Sequence, residues 1–181
     1  DLNHGAKVLY AYLDKDALRQ WITYSVRFRQ SKLTVTVSLD YNSPVLHFDV
    51  KCDWQERAQT GSYIPQLNFH MPVAYKCESY KYDIPFGTIV RDDLDMDVPA
   101  NSWAMAIPAD GTISAVTVKT NTKYGFRGTA DSISVTLIRS SYDPDPYPEN
   151  YIHRIKFAVE IVNASESNAS LIRKSYEYNH P

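Results

Sequence analysis

Leu33-Thr34-Val35-Thr36-Val37-Ser38-Leu39-Asp40-Tyr41 alternates apolar and polar side chains without a break. In a β-strand successive side chains point to opposite faces, so this stretch has one greasy face and one wet face. The next run repeats the pattern, with Leu46, Phe48, Val50, Cys52 and Trp54 set against His47, Asp49, Lys51 and Asp53. Upstream, Tyr24, Val26 and Phe28 alternate with Ser25, Arg27 and Arg29. The connectors Gln30-Ser31-Lys32 and Asn42-Ser43-Pro44 are short enough for hairpins, so the three runs predict an antiparallel meander with its apolar face on a core.

The same period continues later in the chain. Ile113 to Val118, Ile133 to Leu137 and Ile155-Phe157-Val159-Ile161 all read as strands. No stretch carries a sustained helical stripe beyond a turn or two near Asp14 to Gln20. Many short strands with Pro-bearing loops predict an all-β fold, an antiparallel β-sandwich with few helices. The stretch from Gly87 to Trp103 carries Asp92, Asp93, Asp95 and Asp97 and reads as a long, solvated acidic loop. The tail after Val162 is polar and reads as fraying, with Tyr176 and Tyr178 as anchors for a last strand. Three regions result: a leading strand or turn region over 1–18, a β-sandwich over 19–162, and a polar tail over 163–181.

With 181 residues the chain is long enough to bury a substantial core. Its net charge of -2 provides no sequence-wide field for nucleic acid or an anionic membrane. No apolar run of about 18 residues is present to span a bilayer. A cytoplasmic location is the expectation, and Asp1-Leu2-Asn3 reads as a cut made inside a longer polypeptide. Cys52 and Cys77 are expected to be reduced core thiols rather than a disulfide framework. Asn163-Ala164-Ser165 and Asn168-Ala169-Ser170 match the glycosylation pattern, but in a Ser/Asn-rich tail they read as coincidence.

Little catalytic chemistry is visible. Glycoside hydrolysis needs two carboxylates flanking the scissile bond. The Asp92 to Asp97 cluster offers carboxylates, yet like charges so close read as a self-repelling loop. The five histidines fall in no zinc-binding arrangement, and no nucleophile-elbow or phosphate-loop pattern is present. One loop stands out, Lys123-Tyr124-Gly125-Phe126-Arg127-Gly128. Aromatic faces can stack on sugar rings and a guanidinium can donate to several hydroxyls. Among the tryptophans, Trp54 is in phase with the apolar face and reads as core, while Trp103 is left unplaced.

Several short motifs, in order, give the chain a resemblance. Asp53-Trp54-Gln55-Glu56-Arg57, Met71-Pro72-Val73, Tyr82-Asp83-Ile84-Pro85-Phe86-Gly87, Val98-Pro99-Ala100 with Trp103-Ala104, Lys123-Tyr124-Gly125 with Arg127-Gly128, and Leu137-Ile138-Arg139-Ser140 with the Asp143-Pro144 and Asp145-Pro146 pairs follow one another. His153 and Phe157 close the series. Together they resemble the C-terminal β-sandwich region of the α-mannosidases of glycoside hydrolase family 38. The similarity extends from about Arg19 to about Val162.

This resemblance implies a galactose mutarotase-like super-sandwich and a parent that is a metal-dependent, retaining exo-α-mannosidase. It also implies that the nucleophilic carboxylate and the zinc or other divalent metal belong to an N-terminal catalytic domain outside this chain. The partners implied are that domain and, through it, an α-mannoside or mannose-containing oligosaccharide. Tyr124, Arg127 and Arg139 are the residues expected to approach the sugar cleft, holding a sugar rather than breaking a bond; no catalytic or metal-binding residue is expected here. Arg139 has a second role open to it, tying the Asp143-Pro144 turn by a charge-assisted hydrogen bond. Two alternatives accompany this reading: an independent carbohydrate-binding module stacking sugar on Tyr124 and Trp103, and an interaction module with an exposed apolar face.

Overall fold

The computed structural model describes residues 5–145, 147 and 149–180. Pro146, the last residue of the Asp-Pro pairs, lies outside the described residues. The chain divides into two compact units, one formed by residues up to Leu67 together with Leu137–Lys156, the other by Asn68–Thr136 together with Phe157 onward.

In the first unit, strands β1 (Lys7–Lys15), β2 (Arg19–Phe28), β3 (Ser31–Asp40) and β4 (Val45–Asp53) form an antiparallel meander. The expected β2–β3–β4 hairpins are present. Tyr24 stands opposite Val35, and Val35 opposite Val50, so the apolar residues share one face. On the other face Thr23 and Thr36 join hydroxyls at 2.9 Å. The first turn sits one residue earlier than expected, with Arg29 in the left-handed region at φ 46. Asn42, at φ 57, takes the left-handed position in the second turn, which suits its short polar side chain.

The helical turn expected near Asp14 to Gln20 does not form. β1 runs to Lys15, and the Asp16 carboxylate then accepts the backbone N–H groups of Leu18 and Arg19 at 2.8 and 2.7 Å, which turns the chain into β2. Side-chain capture of nearby N–H groups stabilises a turn against a helix.

The second unit is a sandwich. One layer orders β13, β10, β9, β6 and β7 side by side, and the other orders β5, β12, β11 and β8. Here β5 is Gln66–Pro72, β6 Cys77–Ile84, β7 Gly87–Arg91, β8 Val98–Pro99, β9 Trp103–Pro108, β10 Ser114–Thr120, β11 Gly125–Thr129, β12 Ser132–Arg139 and β13 Ile152–Asn163. Tyr80, Val118, Phe126, Ile133, Val135 and Phe157 are fully buried between the layers. Phe69 on β5 meets Phe157 on β13 with ring centroids 4.5 Å apart. A Cβ on Gly128 of β11 would fall inside the Tyr80 ring on β6, so glycine there sets how closely the layers approach.

The tail corrects an expectation. In place of a frayed segment or last strand, Asn168–Asn179 forms helix α1. Ser167 caps it, its hydroxyl accepting the Ser170 N–H at 3.2 Å, which satisfies one of the orphan donors of the first turn. Leu171 and Ser175, one helical turn apart, are buried; Leu171 packs into a cluster with Trp103, Met105, Ala115 and Val162. Among the described residues no helix is long and apolar enough to cross a membrane.

Candidate functional site

The three cleft candidates are displayed in different ways. Arg139 ends β12 with its side chain exposed. The next residue is fixed: the Ser140 N–H donates to the Pro65 carbonyl at 3.1 Å, and its hydroxyl accepts the indole N–H of buried Trp54 at 2.6 Å. Trp54 is wholly buried, as its phase predicted, and its own N–H donates to the Tyr151 carbonyl at 3.2 Å. The guanidinium of Arg139 therefore projects from a strand end whose backbone is held by distant parts of its unit. No bond from Arg139 to Asp143 occurs among the described residues. The Asp143–Pro144 peptide is cis.

Arg127 is engaged. Its Nη1 and Nε donate to Asp95 and Asp97 at 3.0 and 3.1 Å, and Thr136 donates its hydroxyl to the other oxygen of Asp97 at 2.9 Å. Asp93 accepts the Thr129 hydroxyl at 2.5 Å and the Ala130 N–H at 2.8 Å; these bonds hold its carboxyl below the usual carboxylate range. Leu94 donates its N–H to the Gly128 carbonyl at 3.0 Å. The acidic stretch is thus shorter than expected, running from 92 to 97 between β7 and β8. It stays exposed, as expected, but is clamped onto the β11–β12 hairpin instead of repelling itself.

Tyr124 stands immediately before β11, 58% exposed, its hydroxyl within 3.4 Å of the Asn121 carbonyl. Trp103 is 1% exposed, within the cluster that takes Leu171. It therefore offers no ring to a sugar, and the stacking platform of Tyr124 with Trp103 is reduced to the tyrosine.

Sequence reasoning missed a charged cluster. Lys119 on β10 and Glu160 on β13 form an ion pair at 2.5 Å, each almost wholly buried, and Lys174 of α1 donates to Glu160 at 3.0 Å. Burial alone would push the Glu160 carboxyl up; the two ammonium groups outweigh it and hold the carboxyl below its ordinary value. The alternation of β10 and β13 assigns Lys119 and Glu160 to a wet face, and no local signal marks them as buried. Ser167 with Leu171 is the signal that could have found the covering helix.

The cysteines are free, as expected. Burial pushes the Cys52 thiol up to about 12, so it stays protonated and unreactive at neutral pH. A shallow cavity of about 270 Å³, lined by Leu18, Arg19, Asp40 and Tyr41 among others, contains none of the three cleft candidates.

Antiparallel sheets with a single short helix among the described residues make this an all-β sandwich module. A family model described as Glycosyl hydrolases family 38 C-terminal domain matches residues 7–147, and the chain belongs to that family. It is 24% identical over 159 residues to mouse alpha-mannosidase 2C1, covering 83% of this chain and 14% of that protein. It is 22% identical over 153 residues to alpha-mannosidase G of Dictyostelium discoideum, covering 80% of this chain and 13% of that protein. The chain thus spans about one seventh of the curated relatives' length. A crystal structure of a glycosyl hydrolase family 38 protein from Enterococcus faecalis shares the fold, with a TM-score of 0.76 at 13% identity over 98% of this chain and 25% of that one.

Proposed function

We propose that this chain is the non-catalytic C-terminal part of a metal-dependent, retaining α-mannosidase, supporting the catalytic part and bordering its sugar cleft. In this reading the catalytic carboxylate and the zinc or other divalent ion belong to that catalytic part, and the protein works in the cytoplasm. One observation carries the cleft assignment. Arg139 is exposed, and Ser140 beside it is fixed by bonds to Trp54 and Pro65. A guanidinium on so firm a base loses little freedom when it donates to sugar hydroxyls. Tyr124 supports the same role with an exposed aromatic face. Arg127 acts indirectly, by holding Asp95 and Asp97 and with them the loop that precedes β8.

The test is Arg139→Ala in the complete polypeptide, assayed on an aryl α-mannoside and on mannobiose. Loss of a charged hydrogen bond to substrate lowers kcat/KM by roughly 10- to 100-fold with an unchanged melting temperature. An unaltered kcat/KM would remove Arg139 from the cleft. This chain alone should not turn over either substrate, and a chelator should abolish activity of the complete polypeptide while leaving this chain's melting temperature unchanged.

A further inference from the structure

The hairpin of β6 and β7 ends in a two-residue turn, Pro85-Phe86, between the paired residues Ile84 and Gly87. Proline fixes its own φ, and Phe86 sits in the left-handed region at φ 67, which makes this a turn of the type that favours glycine or asparagine at its second position. A bulky side chain is an outlier there. Among the described residues the other non-glycine positions with positive φ are Arg29, Asn42, Ala130 and Asp131, all polar or small. Phe86 is also fully exposed, at 110% of its reference area. Backbone and solvation therefore both disfavour phenylalanine at this site within the chain. A single exposed apolar residue is ordinary; one held in a strained turn at the tip of an edge hairpin is not.

The adjoining edge strand exposes apolar side chains on both of its faces. β7 lies at the end of its sheet, with β6 as its strand neighbour, and Ile89 and Val90 on it are 36% and 53% exposed. We infer that Phe86 is an anchor that inserts into an apolar pocket on the remaining part of the same α-mannosidase polypeptide. This rests on the functional reading above. The occupant follows from length: the curated relatives devote about six sevenths of their chains to sequence outside this region. A rigid aromatic tip supplies large contact area with few side-chain torsions to freeze, as interface anchors do.

The experiment is Phe86→Asn, made both in this chain and in the full-length polypeptide that carries it. Asparagine tolerates the positive φ and loses only the ring. In this chain the melting temperature should stay level or rise by up to about 4 °C. In the full-length polypeptide, limited proteolysis between the two parts should accelerate at least about tenfold, as loss of an interface anchor predicts. Equal cleavage rates in variant and wild type would overturn the inference. So would a clear fall in the melting temperature of this chain alone, which would place the role of Phe86 inside the chain or between two copies. Absence of α-mannosidase activity in the wild-type full-length polypeptide would sink the functional reading instead and leave the cleavage comparison standing.

Discussion

The two units handle apolar surface differently. In the first, the meander leaves one end of its apolar face open: Leu13, Ile22 and Leu39 are 73%, 41% and 44% exposed, although they continue the same face as buried Val35 and Val50. In the second, two layers close on each other, and α1 adds further cover over Trp103 and Met105. Two ion pairs illustrate the contrast, although Arg127 and Asp95 pair near the surface of the second unit and Glu56 is buried in the first. Arg19 and Asp40 pair at the surface of the first unit, whereas Lys119 and Glu160 pair inside the second. An exposed pair can leave its ions in water; an ion enclosed by the fold must be partnered.

Substitutions can break this contrast. The largest effect is expected from Glu160→Gln, which leaves the Lys119 ammonium buried without a counter-charge; roughly 3–5 kcal/mol of stability is lost, read from the urea midpoint. The linkage has a definite sign. The folded Glu160 carboxyl lies below its ordinary value of 4.5, so its contribution is complete above that pH and is lost as pH falls through the folded value. A pH series should therefore show the wild type losing stability more steeply below pH 4.5 than Glu160→Gln. Gly128→Ala comes next. Its new methyl must displace the buried Tyr80 ring, at a cost of about 3 kcal/mol, visible as a lower midpoint and altered tyrosine fluorescence.

In the first unit, Ser140→Ala strips the Trp54 indole of its buried partner and should cost about 1–3 kcal/mol. Asp40→Asn is the sharpening control. Its pair with Arg19 is exposed, so the change should remain below about 1 kcal/mol and shrink further in 0.5 M salt. If Asp40→Asn matched Glu160→Gln, the distinction between the two units would fail.

The strands were legible where one face is wet. Leu33 to Tyr41 and Leu46 to Trp54 alternate because their faces differ, and the pairing of Val35 with Val50 and Val37 with Phe48 follows. The cover over β10 was not legible. Thr117 and Lys119 are buried although their side chains are polar, and alternation alone assigns them to water. That assignment fails because the covering helix turns only Leu171 and Ser175 inward, too few residues to produce a stripe. The acidic loop misled for a related reason. The partners of Asp93, Asp95 and Asp97 are Thr129, Arg127 and Thr136, more than 30 positions downstream in most cases, beyond any local pattern. Of the cleft candidates, Arg139 and Tyr124 are exposed, while the ion pairs of Arg127 depend on a fold that brings β11 to that loop.

The bond between Trp54 and Ser140 joins residues 86 positions apart. A ribosome adds about 5–20 residues per second, so the indole waits roughly 4–17 s after its own synthesis before its acceptor exists. The hairpins of the meander can zip in microseconds, long before then. During translation the nascent meander therefore carries at its end an indole N–H that lacks this partner until Ser140 emerges.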